Sequence, residues 1–194
     1  MAAANNELMR KPGLVAIGLL ACGTMLLTAC SPALNWRTVQ LQDAPLQILL
    51  PCKPQTQTRS VELGLGTVQM SMVGCEADGR LFAVTHFLLT DPTRAGEAMA
   101  YWQKAVLAQL PAQGASEAAP LKADMQWIPK QALSLPQSGH LAFAGIGPQG
   151  QHVMGDGLWF AQMEGSSARL YHAVIYGNKD PKVVEMFFPG VKLQ

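Results

Sequence analysis

The chain has 194 residues, 49% of them hydrophobic, and a formal net charge of +1. This length is sufficient for one domain with a buried core. The balanced charge excludes the basic footprint of a nucleic-acid-binding protein and the polybasic patch that binds anionic lipid.

The N-terminal segment has the layout of a secretory signal peptide. Arg10 and Lys11 precede an apolar run over residues 14–27, and small residues follow it up to Cys30. The run is shorter than the about 20 residues that a transmembrane helix needs, and it lacks the polar face of a core helix. It predicts export, with an uncleaved anchor as an alternative.

The residues at the end of this run, Leu27-Thr28-Ala29-Cys30, resemble the lipobox of bacterial lipoproteins. The resemblance implies cleavage before Cys30 and a diacylglyceryl group on its thiol. Ser31 in the next position implies sorting to the outer membrane, facing the periplasm. Two or three acyl chains, at about 0.8 kcal/mol per buried CH₂, would hold the protein on the lipid bilayer.

Two other processing schemes stay open. Cys22 ends a looser lipobox match, but its apolar run would have only about 8 residues, which favours Cys30. A plain signal peptide is the second alternative. The predicted organisation is a signal peptide over residues 1–29, a lipidated tether over 30–35 and one globular domain over 36–194. Without the signal peptide, basic and acidic residues are equal in number, so the lipid must supply the membrane attachment.

Cys52 and Cys75 are the cysteines of the predicted domain. An even pair in an oxidising compartment predicts a disulfide. It would close a loop of about 24 residues and contribute on the order of 3 kcal/mol. Two buried free thiols are the alternative, and a redox pair is disfavoured because the spacing is far from C-x-x-C.

Alternating apolar and polar residues predict strands in the first half of the domain. They cover residues 36–41, 46–50, 67–74 and 81–89. Asp78 and Gly79 lie between the last two and predict a tight hairpin turn. The polar segment over residues 53–60 contains Pro54 and predicts a loop.

One long amphipathic helix is predicted after Asp91 and Pro92, a capping residue followed by a proline suited to the first helical position. Its apolar residues recur at spacings of three and four: Ala95, Met99, Trp102, Val106 and Leu110. The helix should end near Pro111. The small residues over 112–119 then predict a surface loop.

The second half predicts further strands and a short helix. The strands cover residues 125–128, 140–146, 153–163 and 168–176, with a bulge at residues 155–157. Asp180 and Pro181 then predict a helix over 182–187, packed through Val183, Val184, Met186, Phe187 and Phe188. A terminal strand or tail follows. The whole order predicts an α+β fold: a mostly antiparallel sheet with one long and one short helix, as a two-layer or an α/β/α sandwich.

This layout resembles the PsbP-like α/β/α sandwich superfamily. The resemblance is carried by the extended opening at residues 46–51, the helix after Asp91 and Pro92, the last hairpin into residues 169–177 and the Phe-rich end at 187–193. It implies a non-enzymatic, extrinsic binding or assembly protein, and no functional residue of the superfamily maps here by a motif. The same outline also resembles small proteobacterial lipoproteins.

No motif predicts a catalytic, cofactor or metal site. Residues 145–150 spell G-x-G-x-x-G, but a dinucleotide site needs a helix next, whereas a strand is predicted there. The segment therefore predicts a hairpin turn. The chain has no G-x-S-x-G, and His86, His140, His152 and His172 lack metal-ligand spacing. Asp156, at the predicted bulge, is the acid that most merits attention.

The sequence thus predicts a non-enzymatic lipoprotein that binds an envelope protein partner. The alternatives are a periplasmic small-ligand-binding protein or hydrolase with a site built from distant residues, and a metal-handling protein. A pocket lined by His86, His172 and Asp156 would favour the enzyme. An exposed patch containing the tryptophans would favour the interaction protein, and packing on the sheet is their other explanation. Those tryptophans are Trp36, Trp127 and Trp159.

Overall fold

The computed structural model describes residues 33–64, 66–109, 127–146 and 149–194. Within these ranges it contains nine strands and two α-helices, which confirms the α+β class. The strands are β1 Arg37–Gln40, β2 Leu46–Leu50, β3 Gln55–Glu62, β4 Thr67–Ala77, β5 Arg80–Leu89, β6 Gly139–Ile146, β7 His152–Glu164, β8 Ser167–Tyr176 and β9 Lys192–Leu193. The helices are α1 Ala95–Leu107 and α2 Pro181–Phe187.

The strands form two antiparallel sheets. The large sheet has six strands in the order β3-β4-β5-β8-β7-β6, and the small sheet has the order β1-β2-β9. Strand β5 pairs with β8, although α1, β6 and β7 lie between them in the sequence. The mostly antiparallel sheet predicted from the short turns is therefore confirmed.

The two faces of the large sheet carry different clusters of buried residues. On one, here called the α2 face, Phe82, Val84, Tyr171 and Ala173 pack with residues of β2 and with Val183 and Phe187 of α2. On the other, the α1 face, Phe87, Trp159 and Leu170 pack with Met99 and Trp102 of α1. Side chains alternate between faces along a strand, so the pairing of His86 with Tyr171 and of Thr85 with His172 fixes the face of each.

Both predicted helix starts are confirmed. The Asp91 carboxylate accepts a hydrogen bond from the Thr93 amide at 3.0 Å, and a 3₁₀ turn over Pro92–Arg94 leads into α1. The Asp180 carboxylate accepts from the Lys182 amide at 3.0 Å at the start of α2. These bonds satisfy amides that have no partner inside the helix.

Two details concern the end of α1 and the side chains predicted to pack beneath α2. Helix α1 ends at Leu107, and Leu110, Pro111 and the predicted loop over 112–119 lie outside the described residues. Met186, predicted to pack beneath α2, is 47% exposed, whereas Phe188 is buried beside Phe187.

The predicted turn at Asp78 and Gly79 is confirmed. Their φ angles are 52° and 67°, so both occupy the left-handed region. A two-residue hairpin of type I′ requires this backbone, and Asp-Gly adopts it at low cost.

The prediction of a loop over residues 53–60 is wrong. Strand β3 pairs with β4 in unbroken register from Gln55 opposite Gly74 to Glu62 opposite Thr67. Seven of its eight residues are exposed, so no alternation of apolar and polar residues marks it. Alternation of apolar and polar residues arises only when one face of a strand is buried. An edge strand that is exposed on both faces therefore carries no such pattern.

The prediction of a bulge at residues 155–157 is also wrong. Strand β7 keeps one-to-one register with β6 and β8 through these positions. The glycines instead make room for rings: a Cβ on Gly155 would lie 2.5 Å from the Phe143 ring, and one on Gly157 would lie 2.8 Å from His172 Nε2. Glycine inside a strand can mark a close approach as well as a bulge.

The short strand predicted over residues 125–128 is not present in its described part. Trp127 and Ile128 lie in a turn and irregular chain, and residues 125 and 126 lie outside the described residues. Residues 145–150 join β6 to β7 as a hairpin, as predicted, with residues 147 and 148 outside the described ranges.

Candidate functional site

A disulfide joins Cys52 to Cys75, with the two Cα atoms 5.9 Å apart. Cys52 follows β2, and Cys75 lies in β4, so the bond ties the small sheet to the edge half of the large sheet. The prediction of this pairing is confirmed. It closes a loop with a sequence separation of 23 residues and should stabilise the fold by about 3 kcal/mol.

A buried polar cluster lies on the α2 face around His86, which is 1% exposed. Arg169 Nη1 lies 3.1 Å from His86 Nδ1, and Asp43 Oδ1 lies 3.3 Å from His86 Nε2. A guanidinium only donates hydrogen bonds, so Nδ1 must be the acceptor. The neutral ring therefore carries its proton on Nε2, facing Asp43.

The other groups of this cluster hold the carboxylates of Glu164 and Asp43 in their charged forms. Arg169 donates to both carboxylate oxygens of Glu164, at 2.6 and 2.9 Å, and these hydrogen bonds lower the pKa of Glu164. Partial burial raises the pKa of Asp43, but the Ser71 hydroxyl, with His86 and Arg169, outweighs it and leaves this pKa below its usual value.

His86 itself is held neutral. Burial lowers its pKa, and the charge of Arg169 lowers it further, while Asp43 opposes both. Nδ1 is thus occupied by Arg169, while Nε2 faces the Asp43 carboxylate at 3.3 Å without a hydrogen bond in the described structure.

The order of groups in the cluster does not match a nucleophilic triad. In a triad the imidazole lies between the hydroxyl and the carboxylate, so that it can take the hydroxyl proton. Here Asp43 lies between Ser71 and His86, and the Ser71 hydroxyl shares a 2.9 Å hydrogen bond with that of Thr58. The arrangement fastens the loop that carries Asp43 onto the sheet instead.

The predicted acid Asp156 is 4% exposed and lies on the α2 face. Its Oδ1 is 3.2 Å from His140 Nε2, and the His140 ring packs edge-on against Phe188 with centroids 5.1 Å apart. The pair crosses from β7 to β6 beneath the helix and faces the interior.

His172 lies on the α1 face, across the sheet from His86. Its ring stacks on Trp159 with centroids 3.6 Å apart and meets the edge of Trp102 at 5.9 Å. Burial lowers its pKa to about 3, so the ring is neutral at ordinary pH. Since His86 and His172 lie on opposite faces, they do not line one pocket with Asp156.

The remaining candidates from the sequence are placed as follows. His152 is exposed at the start of β7. Trp159 is buried, and Trp36 and Trp127 are half-buried against the cluster of the α2 face. Across the described residues, no group of three or more His, Cys, Asp or Glu side chains is placed to hold a metal ion.

In the part of the chain that the structure describes, each helix is too short or too polar to cross a bilayer.

The large sheet has an open edge at β3. Strand β4 pairs with one side of β3, and no other described strand pairs with its opposite side. Beside it, on the α1 face, lies a cavity of about 520 Å³, here called the β3 groove. Its walls and floor include Gln55, Gln57, Met72, Gly74, Leu81 and Ala83.

The floor of the β3 groove is low because its central residues are small. Gly74 pairs with Gln55 on one side and Ala83 on the other. A Cβ on Gly74 would fall 2.5 Å from the Phe82 carbonyl oxygen, so no larger residue fits without a backbone shift. Helix α1 covers the other end of this face, around Met70 and Phe87.

No protein-family model, curated protein or solved structure matches this chain.

The residues that complete these sites were not predicted from the sequence. Arg169, flanked by Ala168 and Leu170 in an apolar strand, was the available signal, since a charge in a buried strand needs a partner. Its partner Glu164 and the loop residue Asp43 carry no such signal. The β3 edge carries no periodic signal, because seven of the eight residues of β3 are exposed.

Proposed function

We propose that this protein is a lipid-anchored periplasmic domain of the outer membrane that binds an envelope protein partner without catalysing a reaction. The observation that carries the proposal is that the buried His86 and Arg169 are paired with neighbouring charged groups of the fold. Arg169 is bonded to Glu164 and to His86 Nδ1, and Asp43 lies 3.3 Å from His86 Nε2, on the face of the sheet opposite the β3 groove. Enzymes instead direct such groups toward a cavity.

The disulfide supports export to the periplasm. Disulfides form and persist in oxidising compartments and are rare in the bacterial cytosol. The Cys52–Cys75 bond therefore agrees with the signal-peptide layout ahead of Cys30. Together they favour an exported, anchored domain over a cytosolic one.

We further propose the three-layer form of the fold, as in the PsbP-like superfamily that the sequence resembles. The separate clusters support it: α1 residues pack with one face of the large sheet, and α2 and β2 residues pack with the other. In that superfamily such domains act mainly as extrinsic binding and assembly modules.

A small-ligand carrier is the second candidate. The volume of the β3 groove, about 520 Å³, falls within the range of about 300–1,000 Å³ typical of ligand pockets. The groove is, however, a depression on the surface of a sheet, and its lining residues are mainly amides, small residues and aliphatic side chains. A protein surface is the better match to that shape.

The anchor is tested by intact-mass analysis of membrane-extracted protein. Wild type and Cys22→Ser should carry the added lipid mass, and Cys30→Ser should not. An unmodified Cys30 in the wild-type protein would contradict the anchor, and loss of lipid in Cys22→Ser alone would assign it to Cys22.

The binding role is tested by crosslinking the tagged, lipidated protein in living cells and identifying what is purified with it from membranes. We expect one stoichiometric envelope protein, lost when Cys30→Ser is exported without lipid. If the lipidated protein enriches nothing beyond that control, the adaptor role is contradicted, and screening of small ligands against the groove becomes the next step.

A further inference from the structure

We propose that the open edge of β3, together with the β3 groove, binds an extended peptide segment of the partner as an added strand. On the groove side this peptide presents an apolar side chain at every second position. The inference rests on the proposed function and specifies how that function recognises its partner.

The edge offers main-chain hydrogen bonds over its full length. In an antiparallel pair, every second residue directs its N–H and C=O away from the neighbouring strand. Strand β3 pairs with β4 through all eight of its residues, from Gln55 to Glu62, so its outer side presents these groups at regular intervals. An extended backbone is the ligand that matches such a row.

The strand lacks most of the features that proteins use to block an open edge. Natural edges are protected by proline, lysine, bulges or very short strands. Strand β3 contains neither proline nor lysine, and its register with β4 has no bulge. Arg59 and Glu62 are its charged residues, and they have opposite signs.

The β3 groove supplies the side-chain selectivity. An added strand would direct alternate side chains to the α1 face, beside Gln55 and Gln57. The floor at Gly74 and Ala83 lies one and two strands further in, so a long apolar side chain is needed to reach across the glutamines toward it and toward Met72, which is 36% exposed. The amides of the two glutamines can bond to the peptide at the rim.

Charge does not select this ligand. Lys53 and Glu76, also at the groove, have opposite charges, and the chain as a whole is close to neutral. Long-range steering of an acidic or basic segment is therefore absent, and backbone pairing with apolar contact must provide the affinity.

A second copy of the chain is a poorer occupant. Pairing of β3 with β3 would bring together mostly polar, exposed side chains. Stable dimers bury about 1,200–2,000 Å² with an apolar centre. An eight-residue polar ribbon supplies neither, whereas a peptide can bring its own apolar side chains.

The test uses the full lipidated chain, purified in detergent with its disulfide intact. The probe is a displayed library of random linear peptides of about 10 residues, long enough to span the strand. We expect enriched peptides with apolar residues at alternating positions, and slower hydrogen exchange of β3 amides when one is bound. Absence of enrichment, or protection elsewhere in the chain, would overturn the inference.

Two adjacent proline variants separate binding from folding. Arg59 and Ser60 are neighbours in β3, so one has its N–H in the β4 ladder and the other has it on the outer side. The variants are Arg59→Pro and Ser60→Pro, and proline lacks the backbone N–H. The inner variant is the one that loses the N–H bonded to β4, and the outer variant is the one that loses the N–H on the open side. The outer variant should keep the wild-type melting temperature and lose at least tenfold in affinity for the selected peptide, while the inner variant should melt earlier. An outer variant that binds like wild type would overturn the inference.

Two exposed methionines test the groove. Met72→Glu places a charge in the groove, and Met163→Glu, 47% exposed on the same face at the far side of the sheet, is the matched control. We expect at least a tenfold loss of peptide affinity for Met72→Glu and none for Met163→Glu. Equal affinities for the two variants would overturn the role of the groove.

The in-cell crosslinking experiment distinguishes this inference from the function on which it rests. Loss of the captured partner in the outer proline variant, with capture retained in Met163→Glu, would support both. Capture that persists unchanged in the outer proline variant would leave the adaptor role standing and overturn the edge. A dimer that forms through β3 in wild type and not in that variant would also overturn it.

Discussion

The centre and the edge of the large sheet differ in how completely their main-chain polar groups are paired, since β8 lies between two strands and β3 has one neighbour. In β8, eight of ten residues are buried, and the charged Arg169 is bonded to Glu164 and His86. In β3, seven of eight residues are exposed, and its outer side pairs with no described strand. Unpaired main-chain groups that a partner can reach therefore lie at the edge, and we expect the binding function to lie there too.

The two regions are also stabilised differently. Strands β5 and β8 gain from apolar packing on both faces. The β3–β4 half has fewer buried residues and is fastened by the disulfide at Cys75. Each region should accordingly respond to a different substitution.

The largest effect is expected from removal of the disulfide. Cys52→Ser combined with Cys75→Ser should lower the free energy of unfolding by about 3 kcal/mol, because the unfolded chain gains loop entropy. Urea unfolding measures this change. Dithiothreitol should destabilise the wild type equally and leave the double variant unchanged. In the double variant, amide hydrogen exchange should become faster first in β3 and β4. Faster exchange in β8 before β3 and β4 would contradict the idea that the disulfide stabilises the edge half of the sheet.

The next effect concerns the partly buried ion pair of Arg169 and Glu164, whose side chains are 11% and 34% exposed. Arg169→Met should lower the free energy of unfolding by about 2 to 3 kcal/mol, because it leaves Glu164 and His86 without their donor. Arg94→Met is the matched control, since Arg94 makes the same two-bond contact with Glu97 on the surface. It should have little effect. Similar losses in thermal unfolding would show that burial does not matter.

The pH dependence of stability tests His172. Its folded pKa of about 3 lies below its ordinary value of 6.5, so the unfolded chain binds a proton first. Stability should therefore fall as pH decreases from about 6.5 toward 3. Between pH 7 and pH 5, His172 should lower the free energy of unfolding of the wild type by about 2 kcal/mol. His172→Phe retains a ring to stack on Trp159 and should not show this loss.

The control for this prediction is His152→Phe, at an exposed position. Chemical denaturation at pH 5 and pH 7 should give the wild-type slope for this variant and a flatter slope for His172→Phe. An unchanged slope in His172→Phe would exclude His172 as the source.

The smallest effects are two hydroxyl deletions of opposite sign. Thr58→Ala removes the hydrogen bond to Ser71 at the edge and should cost about 0.5 to 1 kcal/mol. Tyr171→Phe removes a buried hydroxyl that has no hydrogen-bond partner in the described structure and should be neutral or stabilise by about 1 kcal/mol. Destabilisation by Tyr171→Phe in urea unfolding would show that this hydroxyl does have a partner.

Some elements of the fold were predictable because their signals are local. The caps at Asp91 and Asp180 and the turn at Asp78 and Gly79 depend on residues next to each other in the chain. Strand β2 was predicted with its observed bounds, since its alternate residues are buried against the sheet. The disulfide followed from two cysteines that have no other partner in the predicted domain.

Other elements were not predictable from local pattern. Strand β3 has no buried face, so its residues carry no periodicity. Gly155 and Gly157 look like a bulge in sequence, but the rings that they accommodate come from β6 and β8. The polar cluster combines residues of a loop, β5, β7 and β8, and no spacing in the sequence predicts that these residues come into contact.

The sequence by itself determined the fold class, the helix starts, the tight turn and the cysteine pair, because short-range sterics and burial periodicity act on neighbouring residues. Only the tertiary structure decided which strand became the open edge, which polar groups were satisfied and on which face each histidine lies. Those outcomes depend on strand order and register, which bring residues distant in the chain into contact. The candidate binding edge follows from that order, since a strand is open only where no neighbour pairs with it.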